Sequence, residues 1–114
     1  MKIAIVTDSY HPTRDGVVAS IDTVNGILRD HGVETDIVAP DPGNDDERIE
    51  GVHYFRSVSF KSYPGYFIPI YPSHSKRVLR DISPDVVHIQ GVAVMALKGI
   101  VAAHKLGIPV VMTF

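Results

Sequence analysis

Residues 2–26, KIAIVTDSYHPTRDGVVASIDTVNG, decide the fold, because they read as a strand, a polar loop and a helix in that order. Ile3 to Val6 is a β-branched run without alternation, the pattern of a strand covered on both faces in a parallel sheet. After Thr7 the run breaks into DSYHPTRDG. From Gly16 onward Val17, Ile21, Val24 and Leu28 recur at i, i+4, i+7 and i+11, which places them on one face of a helix reaching about His31. Gly32 is suited to stop that helix, since it tolerates the left-handed backbone of a C′ position. A first strand feeding a helix through a glycine-bearing loop aims backbone N–H groups at whatever anion sits there, so this turn is a candidate site.

Working outward, Thr35 to Ala39 reads as the second strand and Pro40 to Glu50 as an acidic, turn-rich loop. That loop lacks the alternating ligand spacing and terminal glutamate of a calcium loop. Val52 to Ser57 reads as a third strand. Lys61 to Ser73 carries Pro64, Pro69 and Pro72 and is predicted to be a loop. His74 to Ile82 is predicted as a short helix with Ser73 as N-cap and Val78, Leu79 and Ile82 on one side. Val86 to Ile89 reads as a buried strand, and Val92 to Leu106 as a helix apolar nearly all round, expected to be mostly covered. Gly107 ends it, and Val110 to Thr113 follows as a strand. Strands alternating with helices predict an α/β, Rossmann-like doubly wound parallel sheet, with the Lys2 strand central between the Thr35 and Val86 strands. A Val-Val-Met run near the last residue belongs inside a sheet, so residues 1–114 are expected to be part of a larger domain.

Composition removes several classes of function. Apolar residues make up 45%, enough for a core, and the net charge of −2 gives no general case for nucleic acid. With no cysteine, disulfides and thiolate sites are excluded. Lys2 is followed by only four apolar residues before Asp8, which is no signal peptide, and the apolar stretch from Gly91 to Ala103 is too short to span a bilayer. The charge is segregated: residues 1–50 hold eleven acids and four bases, residues 51–114 two acids and seven bases. Seven of the nine aromatic residues fall between Tyr54 and Tyr71, so Phe60 to Arg80 is either a loop folded back on the sheet or an acceptor or membrane-surface element.

Gly16 allows close backbone approach to a phosphate or sugar, or simply starts a helix. The dinucleotide pattern G-x-G-x-x-G is missing from DGVVAS, and Asp41 is one of five acids in its loop, so a nicotinamide enzyme is disfavoured. His88 and Gln90 leave the fourth strand two residues apart and point to the same side, at the carboxyl edge where such sheets bind ligands. His11 lies in the first loop, on the same edge. No catalytic triad, metal-ligand pair or P-loop lysine is present.

Three segments taken together, KIAIVTDSYHPTRDGVVASIDTVNGILRDHGVETDIVAP, PDVVHIQG and HKLGIPVVMTF, resemble the N-terminal domain of retaining GT-B glycosyltransferases of the glycogen-synthase-like group, which includes phosphatidylinositol mannosyltransferases. The resemblance spans the chain except the acidic and aromatic loops. It implies transfer of a sugar from a nucleotide diphosphate sugar to a hydroxyl of a sugar or lipid acceptor, with retention and without an obligatory metal or other cofactor. It places Asp15, Gly16 and Val17 beside the donor phosphates and the acceptor, and His88 and Gln90 at the fourth strand's exit. Relatives often carry His-x-His there, so Gln90 departs from the pattern. The histidine thought to assist transfer would follow Phe114, and the family's second Rossmann-like domain, which holds most of the donor, would be separate from these residues. A cytoplasmic location with peripheral contact at the inner membrane face is further implied. The alternative reading is a non-catalytic α/β binding or interaction module.

Overall fold

The computed structural model describes residues 1–8, 10, 16–41, 49, 51–55, 57–59, 67–69, 74–91 and 94–113. Its elements in chain order are β1 (Lys2–Thr7), α1 (Gly16–Asp30), β2 (Glu34–Pro40), β3 (Val52–Phe55), β4 (Ser57–Ser59), β5 (Phe67–Pro69), α2 (Ser75–Ile82), β6 (Val86–Gln90), α3 (Val94–Leu106) and β7 (Val110–Thr113). Five strands form one sheet in the order β3-β2-β1-β6-β7, and every neighbouring pair in it is parallel. The expected architecture is therefore observed, with β1 central between β2 and β6 and the order reversing beside it.

Each face of this sheet has its own apolar layer, because side chains alternate along a strand. On one face Ile5, Ile37 and Ala39 meet Val18 and Ile21 of α1, with Tyr10 closing the cluster. On the other, Ala4, Val6, Val38, Val87 and Ile89 meet Leu79 and Ile82 of α2 and Met95, Ala96, Ala102 and Ala103 of α3. Helix α3 lies very close to the sheet, and Gly99 is what permits it. A Cβ built on Gly99 would stand 2.9 Å from Val6 Cγ1 and 3.1 Å from Ile89 Cδ1.

Four local readings need correction. The run Val52 to Ser57 is not one strand: β3 stops at Phe55, and Ser57–Ser59 pairs antiparallel with Phe67–Pro69 in a separate two-stranded sheet. Part of the proline-bearing segment read as loop is thus a strand, which is tolerated because Pro69 sits at the end of a short, two-stranded pair. The N-cap of α2 is His74, with no side-chain capping bond, whereas Ser73 lies outside the described residues. Helix α2 closes on Ser83 in the left-handed region (φ 53°), whose N–H donates to the Leu79 carbonyl at 2.9 Å, just before Pro84. Helix α3 is covered on one side only, since α2 and the sheet take Met95, Ala96, Gly99, Ala102 and Ala103 and leave Val94, Leu97 and Val101 outside. Among these strands β7 is an edge, with Val111 and Met112 exposed. His11, Asp15, most of the acidic loop and most of the aromatic segment lie outside the described residues.

The close contact at Gly99 yields a stability prediction. Overpacking a dense core costs about 1–3 kcal/mol, against which Ala for Gly in a helix returns about 1 kcal/mol. Gly99→Ala is expected to lower the urea midpoint modestly and Gly99→Val more strongly. A Gly99→Val chain as stable as the parent chain would show that α3 is not held against Val6 and Ile89.

Candidate functional site

The carboxyl ends of β1, β6 and β7 meet beside the amino ends of α1 and α3, which is the crevice created by the reversal of strand order. Register brings three polar side chains into line there. Thr7 pairs with Gln90 across β1 and β6, and Gln90 pairs with Thr113 across β6 and β7, so all three share the face covered elsewhere by α1. Thr7 and Gln90 are buried. His88 stands one step back on that face, opposite Ile5 and Val111.

These side chains form one network. Thr113 Oγ1 lies 2.9 Å from His88 Nε2, and the Gln90 amide approaches the same nitrogen at 3.4 Å. With the Gln90 N–H and the Thr113 hydroxyl both donating, Nε2 is the unprotonated ring nitrogen and the proton sits on Nδ1. Burial lowers the His88 pKa below its usual value near 6.5 and keeps the ring neutral at neutral pH. A neutral imidazole beside a hydroxyl and an amide can help to hold the hydroxyl groups of a polyol.

Asp8 organises the other half of the crevice. Its Oδ1 accepts the Met95 N–H at 2.7 Å, placing a carboxylate on the positive end of the α3 dipole. The same carboxylate lies over Gly91, whose φ of +115° and lack of a side chain are both required, because a Cβ there would stand 2.9 Å from Asp8 Oδ2. Tyr10 then ties the start of the loop to α1: its buried hydroxyl donates to Asp22 Oδ1 at 2.8 Å. Burial first, and that hydrogen bond second, raise the Tyr10 pKa well above its ordinary value near 10.

Of the sequence candidates, the structure brings His88 and Gln90 together and adds Thr113 to them. Gly16 begins α1, and no described atom lies within 4 Å of where its Cβ would be, so packing among the described residues does not explain a glycine there. Val17 packs under α1 against the Ile5 and Ile37 cluster, which gives it a structural contact. Asp15 lies outside the described residues. Thr7, Asp8, Tyr10 and Thr113 were missed. The signal available for two of them was a threonine closing an otherwise apolar strand; Asp8 and Tyr10 act through partners that local pattern does not reveal.

An open cleft of about 470 Å³ lies instead at the amino edge of the sheet, between Lys2, Arg29, Val33, Glu34, Thr35 and Asp36. Arg29, Lys2 and Asp36 in it already have hydrogen-bond partners. Arg29 Nε donates to Thr35 Oγ1 at 2.9 Å, Lys2 Nζ to the Ile82 carbonyl at 3.0 Å, and His53 Nε2 sits 3.0 Å from Asp36 Oδ1. Parallel sheets bind ligands at the other edge, so the carboxyl-edge crevice remains the candidate. Among the described residues no group of three His, Asp or Glu side chains is placed to hold a metal ion, and no helix is long and apolar enough to cross a membrane.

Residues 14–114 match the profile of Glycosyltransferase Family 4. The chain is 34% identical over its whole length to a GDP-mannose-dependent alpha-mannosyltransferase of Mycobacterium tuberculosis and 33% identical to one of Mycolicibacterium smegmatis. It spans 32% of each of these relatives, about a third of their length. Among solved structures it resembles the UDP-GlcNAc 2-epimerase of Methanocaldococcus jannaschii, with a TM-score of 0.68 and 20% identity over 99% of this chain and 31% of that one. MurG of Acinetobacter baumannii gives 0.66 and 20% over 97% and 34%. At such identities the structural likeness establishes the fold alone: a Rossmann-like half of a GT-B architecture.

Two pH effects follow from the shifted groups. The His88 pKa is lowered on folding, so its contribution to stability is full above pH ~6.5 and is lost as pH falls toward the folded-state pKa; an NMR titration of the ring should show a midpoint below that of a free histidine. The Tyr10 pKa is raised, so its contribution is full below pH ~10 and is lost as pH rises beyond it. Urea midpoints measured at neutral pH and above pH ~10 should converge in Tyr10→Phe relative to the parent chain. An unchanged alkaline loss in that variant would place the titrating group elsewhere.

Proposed function

The chain belongs to Glycosyltransferase Family 4, and on that premise we propose that it is the acceptor-side part of a retaining glycosyltransferase that moves a hexose from a nucleotide diphosphate sugar to an acceptor hydroxyl. The observation that carries this reading is the row Thr7, Gln90 and Thr113 with neutral His88 behind it, set at the carboxyl edge where the strand order reverses. The names of the curated relatives support mannose carried on GDP as the donor.

In this reading the new bond forms between the acceptor oxygen and the anomeric carbon, while the bond from that carbon to the diphosphate breaks. Negative charge grows on the departing diphosphate, and its freed oxygen takes the proton that the acceptor hydroxyl gives up. Asp8 already holds the amino end of α3, which directs the diphosphate to the amino end of α1 and the backbone of Asp15, Gly16 and Val17. Donors fixed at that place before the charge develops lower the barrier without reorganising. His88, Gln90 and Thr113 serve to hold the acceptor. A second Rossmann-like domain outside residues 1–114 supplies most of the nucleotide contacts, which accords with the third of the relatives' length that this chain spans. The acceptor is a sugar or a lipid presented at the cytoplasmic face of a membrane. Exposed Arg77 and Arg80 on α2 support a peripheral contact there.

The test uses the full-length enzyme with GDP-mannose and a panel of other nucleotide sugars. Gly16→Val meets no described atom within 4 Å but fills the ligand's space, and a displacement of about 1 Å at the reacting centre costs about 100-fold. The expected result is at least that loss in kcat/KM with an unchanged melting curve, and wild-type turnover would remove Gly16 from the site. The 114-residue chain alone is expected to show no transfer, because holding donor and acceptor together is worth about 7–11 kcal/mol of the barrier.

A further inference from the structure

Gln90 is only 4% exposed, although its amide carries donors and an acceptor that burial takes away from water. Its cross-strand neighbours are Thr7 on β1 and Thr113 on β7, so it is held between two β-branched side chains on the face it shares with His88. His88 stands two residues back on the same strand, about 7 Å along it. The glutamine spans that gap: its amide nitrogen arrives 3.4 Å from His88 Nε2. Asparagine, one methylene shorter, would stop short of the ring. Thr113 Oγ1 reaches the same nitrogen from the neighbouring strand at 2.9 Å. Among the described residues nothing hydrogen-bonds the other ring nitrogen, Nδ1.

Which nitrogen of a neutral histidine carries the proton is set by the hydrogen bonds that the other nitrogen makes. Here a hydroxyl and an amide NH2 converge on Nε2, and the lone pair that receives them exists only when the proton sits on Nδ1. We propose that Gln90 and Thr113 are positioning residues that act through His88, fixing its proton on Nδ1 so that the ring meets the acceptor as a hydrogen-bond donor and not as a base; the proposal rests on the acceptor-side reading above. The opposite tautomer reverses the chemistry. Its Nε2–H would donate to Thr113, and a bare Nδ1 would be left to draw a proton. It would also require the Gln90 amide to turn over, leaving both amide hydrogens without an acceptor among the described residues.

An N–H donor at Nδ1 selects a group with a free lone pair, such as a hydroxyl or ring oxygen of a sugar, and disfavours an ammonium group, which brings donors alone. It leaves the acceptor's proton to the departing diphosphate oxygen. The two positioning residues come from different strands, so the tautomer depends on the register of β6 and β7 rather than on either strand by itself.

The experiment uses the full-length enzyme with isotope-labelled histidine ring nitrogens, His88 being assigned from the signal lost in His88→Gln. Proton–nitrogen NMR spectra at neutral pH should show Nδ1 protonated and Nε2 bare in the wild type. Thr113→Val, which keeps the branched shape of an edge-strand residue and removes its hydroxyl, should move the ring toward the Nε2–H form. Gln90→Met and Gln90→Asn should do the same, and Thr113→Ser should restore the wild-type tautomer. With GDP-mannose as donor and octyl mannoside as acceptor, Thr113→Val and Gln90→Met should each lose about threefold to tenfold in kcat/KM, the worth of one hydrogen bond. That loss should fall on KM for the acceptor, with KM for GDP-mannose unchanged and Thr113→Ser recovering most of it. Because Gln90 is buried, a Gln90→Met enzyme that failed to fold would leave Thr113→Val and Thr113→Ser to decide. A wild-type ring protonated on Nε2, a tautomer indifferent to Thr113→Val, or a loss that falls on KM for GDP-mannose would overturn the proposal. Absence of sugar transfer by the wild type would count against the functional reading alone, because the tautomer is read without turnover.

Discussion

Everything in this structure depends on one strand being buried from both sides. Ala4 and Ile5 are fully buried and Val6 is 1% exposed, and consecutive residues of β1 point to opposite faces, so each face must be covered by its own layer of helix. α1 supplies one layer, and α2 with α3 the other. A chain that leaves a central strand in both directions, with its helices on opposite faces, must reverse strand order beside that strand. The polar end of β1, at Thr7 and Asp8, is consequently delivered to the crevice. The site's position follows from the core's geometry.

Asp8 ties that core to the candidate site. Its carboxylate satisfies the Met95 N–H and rests over Gly91, joining the end of β1 to the end of β6 and the start of α3. Two helix amino ends face this edge, and the protein spends one on its own carboxylate. That asymmetry gives the crevice an α3 side closed by an acid and an α1 side where a glycine with no described atom within 4 Å of its Cβ position begins the helix. The row of Thr7, Gln90 and Thr113 runs across the strands between β1 and the sheet's edge, and burial keeps His88 uncharged among them.

Helix α3 shows how apolar composition and burial can part company. Its small residues Ala96, Gly99, Ala102 and Ala103 do the packing, because only small side chains let the helix axis approach Val6 and Ile89 so closely. Its larger branched residues, Val94, Leu97 and Val101, are turned outward as a result. A helix that reads as apolar all round was expected to be covered; close approach on one side instead left the bulkiest apolar groups on the other, next to the cations of both helices.

What the sequence by itself determined is whatever depends on neighbours within a few residues: the β-branched runs of β1, β2, β6 and β7, the helical period of α1, the stops at Gly32 and Gly107, and the common side of His88 and Gln90. Local periodicity encodes which face a residue takes, and the alternation of strand and helix limits topology to a doubly wound sheet. The tertiary structure alone decided which distant residues share those faces. Asp8 reaches Met95 across 87 positions and His88 meets Thr113 across 25, and neither spacing has a local signature. The pairing of Ser57–Ser59 with Phe67–Pro69 and the outward turn of Leu97 are of the same kind. Register and layer contacts are set by burial summed over the whole sheet, a quantity that no short window of sequence contains.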